Sequence, residues 1–441
     1  MSVNIMNRSI LTVNDDCLLH VYSFLDNDDV INMEKVCTRF EYIANRFYKT
    51  YKIVDLKSNY EWDEEIFEHL APKVGSHAHT HTLIAEARVT SFHVRGRVIK
   101  PLLCHFTNLA HLHLEGVKKL TEYFEIMKII FVKLRTAVLV NCGLEGDISD
   151  WIKDATQLKV LKLGRNQQLN GNFLLYLQNL KEFNIKDCDN IKACNFPQFC
   201  ERNQTLESLN IHDWENLTQE CVDAIAKYLK DLEKLMISVL ESNCFMNFDA
   251  LADLPKLNHL RLNGIEMIKI DSFIELLAQH DQLEYLDIFL DSLFALCTLI
   301  KFKKLKVLYL IDCLFSHLDA ILQVLQCKDT LEEVYLSNSF VTDRGVIFLI
   351  ENCPNLKKIN LRGCFRITDT LMMELSHLTN RTQPLKIYVQ YTEIDRSVAS
   401  DLNLNDNPML DIEWYTDSEN EELMEDETDV TLSNSDGDEM N

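Results

Sequence analysis

Few of the residues in this chain that could do chemistry fall into patterns that perform it. His77, His79 and His81 form H-x-H-x-H, which on a strand would turn three imidazoles to one face, as zinc ligands require. The surrounding run, Ser76 to Thr82, reads as a loop instead, and no nearby Cys or carboxylate cluster completes four ligands. No metal site is therefore expected. The patterns G-x-x-x-x-G-K-S/T, G-x-G-x-x-G, H-E-x-x-H and G-x-S-x-G are all missing from the sequence. Isolated Ser, His and Asp residues cannot be paired into a catalytic set from sequence, so the chain is expected to be no enzyme and to need no cofactor.

The remaining reactive side chains are 14 cysteines. Four of them, Cys142, Cys188, Cys313 and Cys364, close a recurring frame L-x-x-L-x-L-x-x-C, as in Leu305-Leu308-Leu310-Cys313. The frame opens at Leu109, Leu134, Leu158, Leu180, Leu206, Leu232, Leu257, Leu283, Leu305, Leu331 and Leu356, an interval of about 25 residues. This is a leucine-rich repeat. Weaker copies are read at Tyr51-Val54-Leu56-Asn59, Val89-Phe92-Val94 and Pro384-Ile387-Val389. Terminal units degrade because one of their faces has no neighbouring repeat. At the closing position a small residue suits a chain turning out of a strand, so these cysteines are expected to be structural.

The elements follow from the frame. Alternation of period two makes a short strand with its Leu side chains inward. About 16 residues with helical spacing follow, for example Leu276, Leu277 and His280. Strand then helix, repeated, gives an α/β leucine-rich-repeat solenoid: a horseshoe with parallel strands on the concave face and helices on the convex one. Some 12 to 14 units are expected over residues 51–400, after a tail at 1–9 and a separate segment at 10–50, with an acidic segment at 401–441.

Composition narrows the partners. A net charge of −24 opposes the basic footprint that nucleic acid requires, and disfavours anionic membranes too. No run approaches the roughly 18 apolar residues of a membrane span, and Met1 to Val13 lacks the features of a secretory leader. A cytoplasmic or nuclear setting with reduced thiols is expected.

Residues 10–49 break the repeat. Asn14, Asp15 and Asp16 suit a helix start, after which Leu18, Val21, Tyr22 and Leu25 share a face. Asp28 and Asp29 suit a second start before Val30, Met33, Val36 and Cys37, and Phe40, Ile43 and Phe47 continue a third amphipathic stretch. This segment resembles an F-box: Val13-Asn14 stand at its Leu-Pro positions, Asp16 at its Glu, Asp29-Val30 at its Asp-Leu, Val36-Cys37 at its Val-Cys, and Phe40 at its Trp. The run Asn352 to Leu356, with Gly363-Cys364 and Ile367-Thr368-Asp369, is similar to the cysteine-containing repeat of F-box/leucine-rich-repeat proteins.

The resemblance implies a substrate receptor of an SCF-type ubiquitin ligase. Leu18, Leu19, Val21, Phe24, Leu25, Val30, Val36 and Phe40 would meet a Skp-family adaptor, which joins cullin and RING subunits. The repeats would hold a protein substrate for ubiquitination and proteasomal degradation. The alternative is a leucine-rich-repeat scaffold whose acidic tail binds a basic protein, with no ubiquitin link.

On the concave face, offsets two, four and six of each frame point away from the core. They collect Tyr285, Phe289, Tyr309, Tyr335 and Tyr388, with Lys162, Arg261 and Arg362 for charge recognition. Such aromatics either contact a substrate or sit there as good strand formers. Residues 411–441 hold thirteen Asp or Glu and no Lys or Arg, which suits a solvated tail. Ser418, Ser433 and Ser435 each have an acidic residue three positions on, as an acidophilic kinase would require. The tail solubilises the chain, binds a basic partner, or folds back over the concave face.

Overall fold

The computed structural model describes residues 10, 13–50, 53–55, 64–75, 82–86, 105, 109–117, 120–239, 245–264, 270–290, 292–377, 381 and 383–414. His77, His79 and His81, the frame at Val89–Val94, and Ser418, Ser433 and Ser435 lie outside them. The chain forms two compact units, Met1–Ile237 and Ser238–Asn441.

The first unit opens with three short helices, α1 (Asp15–Tyr22), α2 (Asn27–Glu34) and α3 (Thr38–Tyr48). Asn14 caps α1, its side chain accepting from the Asp16 amide at 3.0 Å. The cap of α2 is Asp26, not Asp28 or Asp29, and it accepts from the Asp29 amide at 2.7 Å. Asp28 and Asp29 instead fill the first turn, where the helix dipole favours negative charge. Leu18, Tyr22, Val30, Phe40 and Ile43 fill the centre, and the Tyr22 hydroxyl donates to the Phe40 carbonyl at 3.2 Å. An ion pair between Arg39 and Asp15 at 2.6 Å ties α3 to α1.

A fourth helix, α4 (Glu64–Gly75), joins this group through one buried carboxylate. Glu34 accepts from Tyr48 at 3.1 Å, meets the His69 Nε2 at 2.8 Å and pairs with the Lys73 ammonium. Burial alone would raise the Glu34 pKa. The hydrogen bonds from His69, Lys73 and Tyr48 outweigh it and hold the carboxyl below its ordinary value.

The repeat strands of this unit are β1 (Ile53–Asp55), β2 (Thr82–Glu86), β3 (His111–Glu115), β4 (Thr136–Val140), β5 (Val160–Lys162), β6 (Glu182–Asn184), β7 (Ser208–Ile211) and β8 (Lys234–Val239). Each pairs in parallel with the next, in chain order. Ile53, Thr82 and His111 stand in one row, so the frame opening at Tyr51 is in register. The second repeat is not where it was expected. Thr82–Glu86 takes the place between β1 and β3, with Leu83 and Ala85 at the two leucine positions of the frame. The first repeats are therefore longer than those that follow.

The second unit carries β9 (His259–Gly264), β10 (Tyr285–Ile288), β11 (Val307–Tyr309), β12 (Glu333–Tyr335), β13 (Lys358–Asn360), β14 (Leu385–Tyr388) and β15 (Leu410–Glu413), again parallel and in order. Ile359 lies beside Ile387, which places the Pro384 frame in register. Ile387 in turn lies beside Ile412, so the repeats run past residue 400. The helix Arg396–Asp401 belongs to the last interval, and the acidic segment begins later than its composition suggests.

Two devices recur. At offset seven the chain must turn out of the strand, and the residue there is left-handed: Gly116, Asn141, Arg165, Asp187 and Asp213 in the first unit, Asp312, Asn338, Gly363 and Tyr391 in the second. Asn, Asp and Gly adopt this conformation at little cost, whereas Arg165 and Tyr391 are strained. At offset eight a side chain reaches back to the preceding repeat. The thiols of Cys142, Cys188 and Cys364 lie 3.2, 3.2 and 2.9 Å from the carbonyls of Leu114, Leu163 and Leu336. The Asn166 amide donates to the Leu139 carbonyl at 2.8 Å in the same way. On the helix side of the second unit, Asp319 accepts from Thr342, Asp343 from Thr368, and Asp369 from the Asp395 amide. The chain has the α/β leucine-rich-repeat fold, a parallel sheet backed by short α and 3₁₀ helices.

Candidate functional site

The eight residues expected to meet an adaptor divide into three groups. Leu18, Val30 and Phe40 are buried in the middle of the helical group, so an adaptor cannot reach them without unfolding it. A helix of eight residues in a three-helix group must spend one face on its own core, and that face is the Leu18–Tyr22 one. Leu19 and Leu25 are half-buried. Val21, Phe24 and Val36 face solvent, with Phe24 77% exposed. Phe24 packs edge-on against His20, centroids 5.0 Å apart. Val21, Phe24 and Val36 thus stay at the surface although the core of the group is already filled.

The expected substrate residues also change character. His259 stacks on Tyr285 at 3.6 Å, and Tyr309 on Tyr335 at 4.0 Å with the rings 4° from parallel; Tyr285 and Tyr309 meet at 5.4 Å. Consecutive repeats stand about 4.8 Å apart, near the distance at which aromatic rings stack. Each of the three tyrosines is consequently only 7% exposed, a closed column and not a row of free rings. Burial pushes their hydroxyl pKa values well above the ordinary phenol range. The column ends in charge. Arg261 donates to Asp287 at 2.7 Å and lies within 3.5 Å of the Tyr285 hydroxyl, and Tyr335 donates to Glu333 at 2.6 Å.

Lys358 lies over both Tyr335 and Tyr388, at 5.2 and 5.4 Å. Phe289, Tyr388 and Arg362 are half-buried and remain reachable. Lys162, in the first unit, pairs with Glu182 at 2.8 Å. The face expected to bind through these tyrosine rings thus keeps them covered, with Phe289, Lys358, Arg362 and Tyr388 partly exposed.

Sequence reasoning missed a second cluster, at the edge where the strands of the second unit end. Leu314, Phe340 and Phe365 each follow the closing residue of three consecutive frames. That recurrence was the available signal. Phe340 and Phe365 meet edge-on at 5.4 Å, and the Arg366 guanidinium lies 4.3 Å from the Phe340 centroid. Arg362 lies 5.5 Å from the Tyr391 ring. Phe365 is 50% and Tyr391 75% exposed, so this rim is open where the tyrosine column is closed.

Among the described residues no group of three His, Cys, Asp or Glu could hold a metal ion, and no helix is long and apolar enough to cross a membrane. The thiol pKa values of Cys142 and Cys188 are pushed up to about 12 by burial, and that of Cys313 to about 11, which removes their nucleophilic form at neutral pH.

No family model and no curated protein matches the chain. Among solved structures it is similar to a chain in the crystal structure of the Rad7 and Elc1 complex in yeast, with 13% identity and a TM-score of 0.45 over 90% of each chain. It is also similar to a chain of the TLR13–ssRNA13 complex, with 16% identity and a TM-score of 0.34 over 84% of this chain and 62% of that one.

Proposed function

We propose that the chain is a substrate receptor of an SCF-type ubiquitin ligase. The N-terminal helices dock a Skp-family adaptor through Val21, Phe24 and Val36, with Leu19 and Leu25 at the margin. Cullin and RING subunits join through that adaptor, and the repeats hold a protein substrate. The reading rests on one observation. Phe24 is exposed although Leu18, Tyr22, Val30, Phe40 and Ile43 already complete the helical core. A bare aromatic beside a completed core is the kind of anchor on which a docking face relies.

The test is capture of a recombinant Skp-family adaptor by the full chain. Wild type should hold the adaptor, and Phe24→Ala/Val36→Ala should lose it at an unchanged melting temperature. A well-folded wild-type chain that captures no adaptor would end the proposal.

A further inference from the structure

We infer that the acidic C-terminal segment, residues 415–441, docks in cis on the rim formed by Phe340, Arg362, Phe365, Arg366 and Tyr391. The inference is independent of any adaptor on the N-terminal helices.

The chain leaves the sheet at the edge that carries the rim. In β14 and β15, Tyr388 lies beside Glu413, and the strands are parallel. All strands of this unit therefore end at one edge, which is the edge that carries the rim. The described chain ends at Trp414, one position past the Tyr388–Glu413 pair and close to Gln390 and Tyr391 in the neighbouring strand. The rim begins one strand away and reaches back to the repeat of β12, about 15 Å at roughly 4.8 Å per strand. An extended chain covers that in about five residues.

Charge and shape are complementary. Residues 415–441 contain eleven Asp or Glu and no Lys or Arg. Tyr415, Leu423, Met424, Val430 and Leu432 interrupt the acids and give the exposed rings apolar partners. Among the described residues Arg366 makes ring contacts and no ion pair. Its ring contacts occupy the guanidinium face and leave the N–H edges for carboxylates. The nearby carboxylates of Asp343, Asp369 and Asp395 are already engaged as helix-side acceptors.

Two local features mark the same spot. Gln390 is 6% exposed, and among the described residues neither its amide nitrogen nor its amide oxygen has a hydrogen-bond partner. The backbone of a docked segment supplies both a donor and an acceptor there. Tyr391, its neighbour, is held left-handed at φ 56° and yet kept at the surface. At this offset most repeats use Asn, Asp or Gly, so the aromatic is retained against a strain of about 1–2 kcal/mol.

The experiment is amide hydrogen exchange on the full chain, compared with a full-length variant in which the eleven acids of 415–441 become Asn and Gln, and with Arg362→Glu/Arg366→Glu. Exchange around 362–366 and 389–395 should be several-fold slower in the intact chain. Both variants and high salt should remove that protection, and dilution should not. Equal exchange in the intact and neutralised chains would overturn the inference. So would protection that grows with protein concentration, which would assign the segment to a second copy. The neutralised variant leaves every described repeat untouched, so the test survives any misfolding of the arginine variant.

Discussion

Arg261 and Asp287 stand side by side in adjacent strands, Nε to Oδ2 at 2.7 Å, with side chains only 10% and 7% exposed. Two charges removed from water to this extent depend on each other. Asp287→Asn leaves the guanidinium without its counter-charge and should cost about 3 kcal/mol, read as a lower urea midpoint. Replacing both, as Arg261→Met/Asp287→Leu, should recover most of that loss. Equal destabilisation by the single and double variants would show that packing, not charge, fixes this position.

The helical group separates core from surface within two turns. Leu18→Ala should cost about 2–5 kcal/mol, because Leu18 is wholly enclosed. Phe24→Ala should change stability by no more than about 0.5 kcal/mol. Thermal unfolding followed by circular dichroism distinguishes the two, and a large loss for Phe24→Ala would mean that its ring is packed.

Glu34 gives the junction between α2, α3 and α4 a dependence on pH. Its folded pKa lies below the ordinary value of about 4.3, so the unfolded state binds the proton more readily. The stabilisation is present in full above that ordinary value and is lost as pH falls through the folded one. Glu34→Gln should therefore flatten the acid limb of the stability curve while lowering stability near neutrality. An acid limb that is unchanged in the variant would place the titrating group elsewhere.

Alkylation should sort the cysteines by location. Cys17 and Cys194 are exposed and should react with iodoacetamide in the folded chain. Cys142, Cys188 and Cys364 should react only after unfolding, because their thiols are buried against backbone carbonyls. Mass spectrometry of the labelled peptides decides it, and early labelling of Cys188 would contradict the bracketed geometry.

The legible parts of this chain are those governed by period alone. The register at Leu109 to Leu356, the outlying frames at Tyr51 and Pro384, and the structural cysteines all follow from spacing. The second repeat was illegible because Leu83 and Ala85 are its only apolar markers, and it comes after a longer interval. Val89, Phe92 and Val94 imitate the frame better than the true strand does. Which face of α1 is inward depends on what α3 presents to it, so Leu18 and Val21 look alike in sequence and differ completely in burial. The tyrosine column closes only because neighbouring repeats stand a ring thickness apart, a property of the stack that no single frame contains.

The offset-eight brackets hold both of the units they join. Each of these thiols and the Asn166 amide nitrogen reaches back to the repeat before it, and the Asn166 side-chain oxygen accepts there from the Cys142 and Leu144 amides, both at 3.0 Å. Loss of the unit that carries Asn166 would strand two buried N–H groups in the unit before it. Loss of an earlier unit leaves its successor with a buried donor and no acceptor. A bracketed pair of units is therefore interlocked, as courses of shingle laid under and over each other, and neither lifts away without tearing the other's hold.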